Sequence, residues 1–318
     1  MRPRDWLPWV VAAVILGWLA YRVPLDALRV ALRHGAYVPL ALYVLLESVA
    51  VLPLDAFATR EALALAGVRR TWTELFLLRG ATYLLGLVSY VAGQGGIGVY
   101  LARRGVRAGR ATGAMLFLMI SNGIVLAVIA SLGLLADLPR ERRELLLLMA
   151  CGALAGIVLY LAVIAVAPPW LARRAALTPL FEAGLAGHLR AAGARLPHLL
   201  GLAVLNWGAF RVWGIVVPFW QGLALTTVVL LAGALPLTPS GLGTVQVLQV
   251  LFFARWAAGA DAAARAADVL ALSLVHHVFN LVWQALLGLV CLAALRRTGG
   301  GAAAAAETAA PPSGGEAA

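Results

Sequence analysis

The chain has 318 residues, 63% of them hydrophobic and only 12% charged. Soluble domains carry roughly 25% charged residues, so a sizeable soluble domain is excluded and the expectation is an all-α, polytopic integral membrane protein of the inner or plasma membrane. The formal charge is +11 and every basic residue is arginine. These arginines punctuate apolar runs, so anionic lipid headgroups rather than nucleic acid are their expected counter-charge.

The N-terminal Met1-Arg2-Pro3-Arg4 is a positive flank with no small-residue cleavage site, and reads as the start of a retained helix rather than a signal peptide. A first span is expected over 6–23, with Trp6, Trp9 and Tyr21 as interfacial anchors. A second, 36–54, holds Glu47 near its middle and Pro53 near its end. Asp55, Arg60, Glu61, Arg69 and Arg70 then return the chain to the surface. A third span, 73–92, runs into Gly93-Gln94-Gly95-Gly96-Ile97-Gly98 and an arginine-rich turn. This glycine cluster is read as a break at membrane depth.

Further spans are expected over 111–136, 145–167, 199–217 and 269–295. Residues 170–197 mix arginines with Leu, Phe and Ala, the composition of an amphipathic helix lying on the membrane surface with its arginines toward headgroups. The tail, 298–318, is rich in Gly, Ala and Pro and is expected to be disordered. The membrane-embedded domain is thus 1–297, with about eight membrane elements.

A second break organises the chain. Apolar runs flank Leu235-Pro236-Leu237-Thr238-Pro239-Ser240-Gly241-Leu242-Gly243-Thr244-Val245-Gln246, and each is short of the ~20 residues of a full span. Proline removes a backbone donor and glycine permits unusual backbone shapes. Unpaired backbone cannot face lipid, so 222–253 reads as two half-helices joined by a break that lines a wet cavity. Gly96-Ile97-Gly98-Val99 can be laid on Gly241-Leu242-Gly243-Thr244, one such break in each half.

Candidate ligand-binding residues follow from charge and backbone. Glu47 and Arg211 are charges inside expected spans; Arg211 suits a phosphate through bidentate contact. Gly93, Gln94, Gly96 and Gly98 form the first break, and Pro239, Ser240, Gly241, Gly243 and Gln246 the second. The half-helix N-terminus at 243–246 presents free N–H groups to an anion. His276, His277 and Asn280 lack further metal ligands and read as interhelical hydrogen-bonding groups. Cys151 and Cys291 give no metal spacing and no disulfide framework. Ser240 lacks a Gly-x-Ser motif, so a helix cap is a simpler reading than a nucleophile. No cofactor is expected.

The segment Leu235 to Gln246 resembles the Leu-Pro-x-x-x-Gly-Gly-Leu-Gly-x-x-Glu signature of the lysylphosphatidylglycerol synthase transmembrane, or flippase-like, family. The glycine cluster at 93–98 resembles that family's first-half segment, and element order and length fit over residues 6–297. Ser240 stands where the family often has glycine and Gln246 where it typically has glutamate; glutamine keeps the shape and hydrogen bonding without the charge. The resemblance implies translocation of an anionic phospholipid or polyprenyl-phosphate lipid. Aminoacyl transfer is not expected, because no soluble catalytic domain follows. The alternative is a membrane scaffold or regulator of a lipid- or envelope-modifying enzyme.

Overall fold

The computed structural model describes residues 3–135, 140–234 and 238–308. Leu235, Pro236 and Leu237 of the second break, residues 136–139 at the end of the expected 111–136 span and just after it, and the tail from 309 lie outside them. The described residues form helices and turns, with no strand. In order the helices are α1 (Pro3–Arg22), α2 (Leu25–Arg33), α3 (Tyr37–Leu65), α4 (Trp72–Gly86), α5 (Tyr90–Arg103), α6 (Ala108–Ser131), α7 (Arg140–Val166), α8 (Pro169–Ala172), α9 (Thr178–Trp213), α10 (Phe219–Ala234), α11 (Thr244–Phe253) and α12 (Ala262–Thr308). Four are long and apolar enough to cross a membrane: α3, α6, and the apolar parts of α7 and α12.

Local chemistry sets several ends. Thr71 and Ser89 accept from the Glu74 and Ala92 amides, capping α4 and α5. Asp261 accepts from the Ala264 amide at the start of α12. Side-chain acceptors of this kind satisfy amides that have no intrahelical partner.

Two pairs of short helices fold back on themselves. Along α4 and α5, Gly93 packs on Gly86 and Gly96 on Thr82 and Leu85. The Tyr100 hydroxyl donates to Glu74 at 3.0 Å. The pair is therefore an antiparallel hairpin with its tip at 87–89. Along α10 and α11, Gly233 meets Val245 near the tip, while Phe219 and Phe253 both pack on the far stretch of α9, against Trp207 and Phe210. The base of the first hairpin sits at the other end of α9, where Arg110 contacts the Ala66 carbonyl and Glu182. The hairpins thus enter from opposite ends of the bundle. Their tips touch where the Ser240 hydroxyl donates to the Leu87 carbonyl at 2.5 Å.

Each hairpin seats in its own apolar cluster. Leu75, Leu78, Ile97, Leu101, Phe117 and Leu118 surround the first; Phe210, Leu225, Val228, Phe252, Phe253 and Leu272 surround the second. Small residues allow close helix approach: a Cβ on Gly80 of α4 would lie 2.3 Å from Cys291 Sγ of α12.

Several expectations are corrected. The glycines at 93–98 are not a break; they lie inside α5, where missing side chains let α4 come close, and the chain reverses at 87–89. Gly96 to Val99 is therefore helical, whereas Gly241 and Gly243 have φ of +74° and +87° in a turn, so the two stretches do not correspond. Residues 178–197 belong to the long helix α9, kinked at Gly184. Its Arg195 is 1% exposed rather than facing headgroups. Helix α3 continues through Pro53 to Leu65, because proline inside a membrane helix is tolerated where neighbours satisfy the freed carbonyl. Asp55 is consequently buried. Helix α12 continues through the alanine run to Thr308, as alanine's helix propensity favours.

Candidate functional site

Where the hairpin tips meet, a cavity of about 570 Å³ opens among α3, α4, α5, α6, α9, α10, α11 and α12. Binding sites for small molecules fall in this size range. Its wall is apolar in the main but carries Asp55, Arg79, Gln94, Asn122, Asn206, Ser240, Gln249 and His276.

Asp55 anchors one side. Its Oδ2 accepts from Arg79 Nε at 2.5 Å and its Oδ1 from Arg195 Nη1 at 2.5 Å. Arg195 also reaches Thr59 at 3.4 Å. His198 lies 3.9 Å from the same carboxylate. With the Gln94 carboxamide oxygen turned to Arg79, it accepts from both terminal guanidinium nitrogens at 3.2 Å. A guanidinium stays protonated and offers five N–H donors. Two guanidinium groups on one carboxylate therefore leave a surplus positive charge, and Arg79 retains donors that neither Asp55 nor Gln94 engages. Such a charge is costly at membrane depth and calls for a compensating partner.

Glu47 holds a second polar knot, tying three helices together. It accepts from Asn206 of α9 at 2.6 Å and lies 3.1 Å from His276 Nε2 of α12. Its exposure is 2%.

The sequence-derived candidates divide accordingly. Gly93, Gln94 and Ser240 line the cavity. Glu47 stands behind the wall, reached through Asn206 and His276, and is not paired with Arg211. Arg211 is exposed in the last turn of α9 and outside the cavity. Gly96 and Gly98 pack against Leu85 and Met115. Pro239 and Gly241 are buried in the tip turn. Gly243 packs on Ile15 of α1. Gln246 turns back to accept from the Gly243 amide at 2.6 Å, so it caps its own helix and covers the expected anion site there. Ser240 is hydrogen-bonded to backbone carbonyls of the facing tip, not to a histidine.

Sequence reasoning missed Asp55, Arg79 and Arg195 as site residues. Arg79 had a legible signal: it is the lone charge within Leu75-Phe76-Leu77-Leu78-Arg79-Gly80-Ala81-Thr82, and isolated intramembrane charges mark functional interiors.

No family model matches the chain, and no curated protein matches it. The resemblance to the flippase-like family rests on the sequence motifs and on element order and length.

Proposed function

We propose that this protein moves an anionic lipid across the inner or plasma membrane. Helices α1, α3, α6, α7, α9 and α12 cross the bilayer, the two hairpins enter from opposite faces as re-entrant elements, and α2 lies at the surface. The observation that carries this reading is the shared carboxylate: Asp55 neutralises only one of the two arginines bonded to it, and Arg79 of that pair lines the wall of a headgroup-sized cavity. A lipid phosphate supplies the missing negative charge through the free donors of Arg79, by the fork geometry that suits guanidinium to oxyanions. The acyl or prenyl chains stay in lipid while the headgroup sits between the tips. Parting of the tips, which meet at Ser240 and Leu87, opens the cavity alternately to either face, as in transporters built around paired broken elements. The motif at 235–246 supports membership in the flippase-like family.

The test is fluorescent-lipid movement in proteoliposomes containing anionic phospholipids or polyprenyl phosphates. Arg79→Gln, checked for folding by size-exclusion and circular dichroism, is expected to slow movement about tenfold, the loss of one charge-assisted contact of about 1.5 kcal/mol. Absence of movement for every lipid in the panel would overturn the reading in favour of the scaffold.

A further inference from the structure

The cavity that Arg79 lines also carries polar atoms that the fold does not satisfy. Gln249 Oε1, Asn122 Oδ1 and Ser273 Oγ are buried with no hydrogen-bond partner. Gln249 and Asn122 are each 8% exposed and Ser273 3%, and all three line the cavity. They come from α11, α6 and α12, so no single helix end produces them. Buried polar groups are ordinarily paired, and leaving one unpaired costs on the order of 1–3 kcal/mol. Three in one cavity describe a site awaiting a polar ligand.

The chemistry of that surface is neutral. Gln249 and Asn122 present acceptors, and Ser273 presents a hydroxyl that donates or accepts. No carboxylate is free beside them to hold an ammonium, because Glu47 is already engaged by Asn206 and His276. Resting on the anionic-lipid reading above, we propose that these three residues form a subsite for hydroxyl groups borne by the headgroup beyond its phosphate, as in a glycerol or sugar phosphodiester. The phosphate sits at Arg79 and the hydroxyls at Gln249, Asn122 and Ser273. An ammonium donates to the same acceptors but meets no free carboxylate to balance its charge, which sets this site apart from one built for aminoacylated or ethanolamine lipids.

The experiment measures binding of short-chain phosphatidylglycerol, phosphatidylethanol and phosphatidylethanolamine to the detergent-solubilised full chain by isothermal titration calorimetry. Phosphatidylglycerol and phosphatidylethanol share a singly charged phosphodiester and differ in the hydroxyls. Phosphatidylglycerol is expected to bind at least tenfold more tightly than either. Gln249→Leu and, independently, Ser273→Ala are expected to cut that preference severalfold while leaving phosphatidylethanol binding unchanged. Equal binding of phosphatidylglycerol and phosphatidylethanol by wild type would mean that cavity water alone satisfies these atoms, overturning the subsite but not the anionic-lipid reading. No binding of either anionic lipid overturns both. Soluble glycerol phosphate serves as competitor; if it matches the lipid in affinity, the ligand is a free phosphoester and the lipid assignment fails.

Discussion

The two hairpins are alike in shape and opposite in chemistry. The first brings a buried cation, Arg79, to the cavity and reverses through a turn that ends in the Ser89 cap. The second carries no charged residue anywhere in 219–253; it offers amides and hydroxyls, and its tip has Ser240, Gly241 and Gly243 all at positive φ. The difference teaches that one hairpin carries a buried charge on a regular frame, while the other carries only neutral polar groups on an irregular one.

The most damaging way to break this asymmetry is to strand the cations. Asp55→Ala leaves Arg79 and Arg195 facing each other without their carboxylate. The expected cost is about 3–5 kcal/mol, the range for removing one partner of a buried ion pair. The measurement is the midpoint of thermal unfolding in detergent; a midpoint equal to wild type would show that the ion triad does not hold α3, α4 and α9 together. Overfilling the seat of the charged hairpin comes next. Gly80→Leu drives side-chain atoms into Cys291, with an expected loss of about 1–3 kcal/mol by the same measurement.

The comparison sharpens if the neutral hairpin is given a charge. Gln249→Glu places a carboxylate in the cavity where there is now a neutral carboxamide. Anionic lipid binding is expected to fall about tenfold, equivalent to about 1.4 kcal/mol, by repulsion across the cavity. Binding measured by calorimetry that is unaffected by this change would separate Gln249 from the headgroup.

Much of the architecture was legible in residues. The non-helical turn at 238–243 showed itself because proline and glycine interrupt two runs too short to span, and the helical class followed from composition. The glycine cluster at 93–98 misled because glycine has two uses in membranes, reversal and close packing, and only contact with Gly86 and Leu85 tells which applies. Asp55 and Arg195 were assigned to the surface because charges usually lie there. Their burial depends on each other across 140 residues of sequence, a pairing that no local pattern encodes. Arg211 and Arg79 show the same limit from both sides: each is a lone charge near apolar residues, but Arg211 falls in the exposed last turn of α9 and Arg79 in the buried middle of α4.

The smallest effect concerns the tip contact itself. Ser240 sits at φ +49°, a left-handed conformation that disfavours a side chain, yet its hydroxyl bonds to the facing Leu87 carbonyl. Two substitutions separate these terms. Ser240→Ala removes the hydrogen bond and keeps the strain, with an expected loss of about 0.5–1.5 kcal/mol. Ser240→Gly removes both, so the relieved strain, on the order of 1 kcal/mol, offsets the lost bond and stability stays near wild type. If the tips must part for lipid to pass, both variants move lipid faster than wild type in proteoliposomes while differing in unfolding midpoint. Equal rates in all three proteins would mean that the Ser240 contact does not limit opening, and that the gate lies elsewhere along the hairpins.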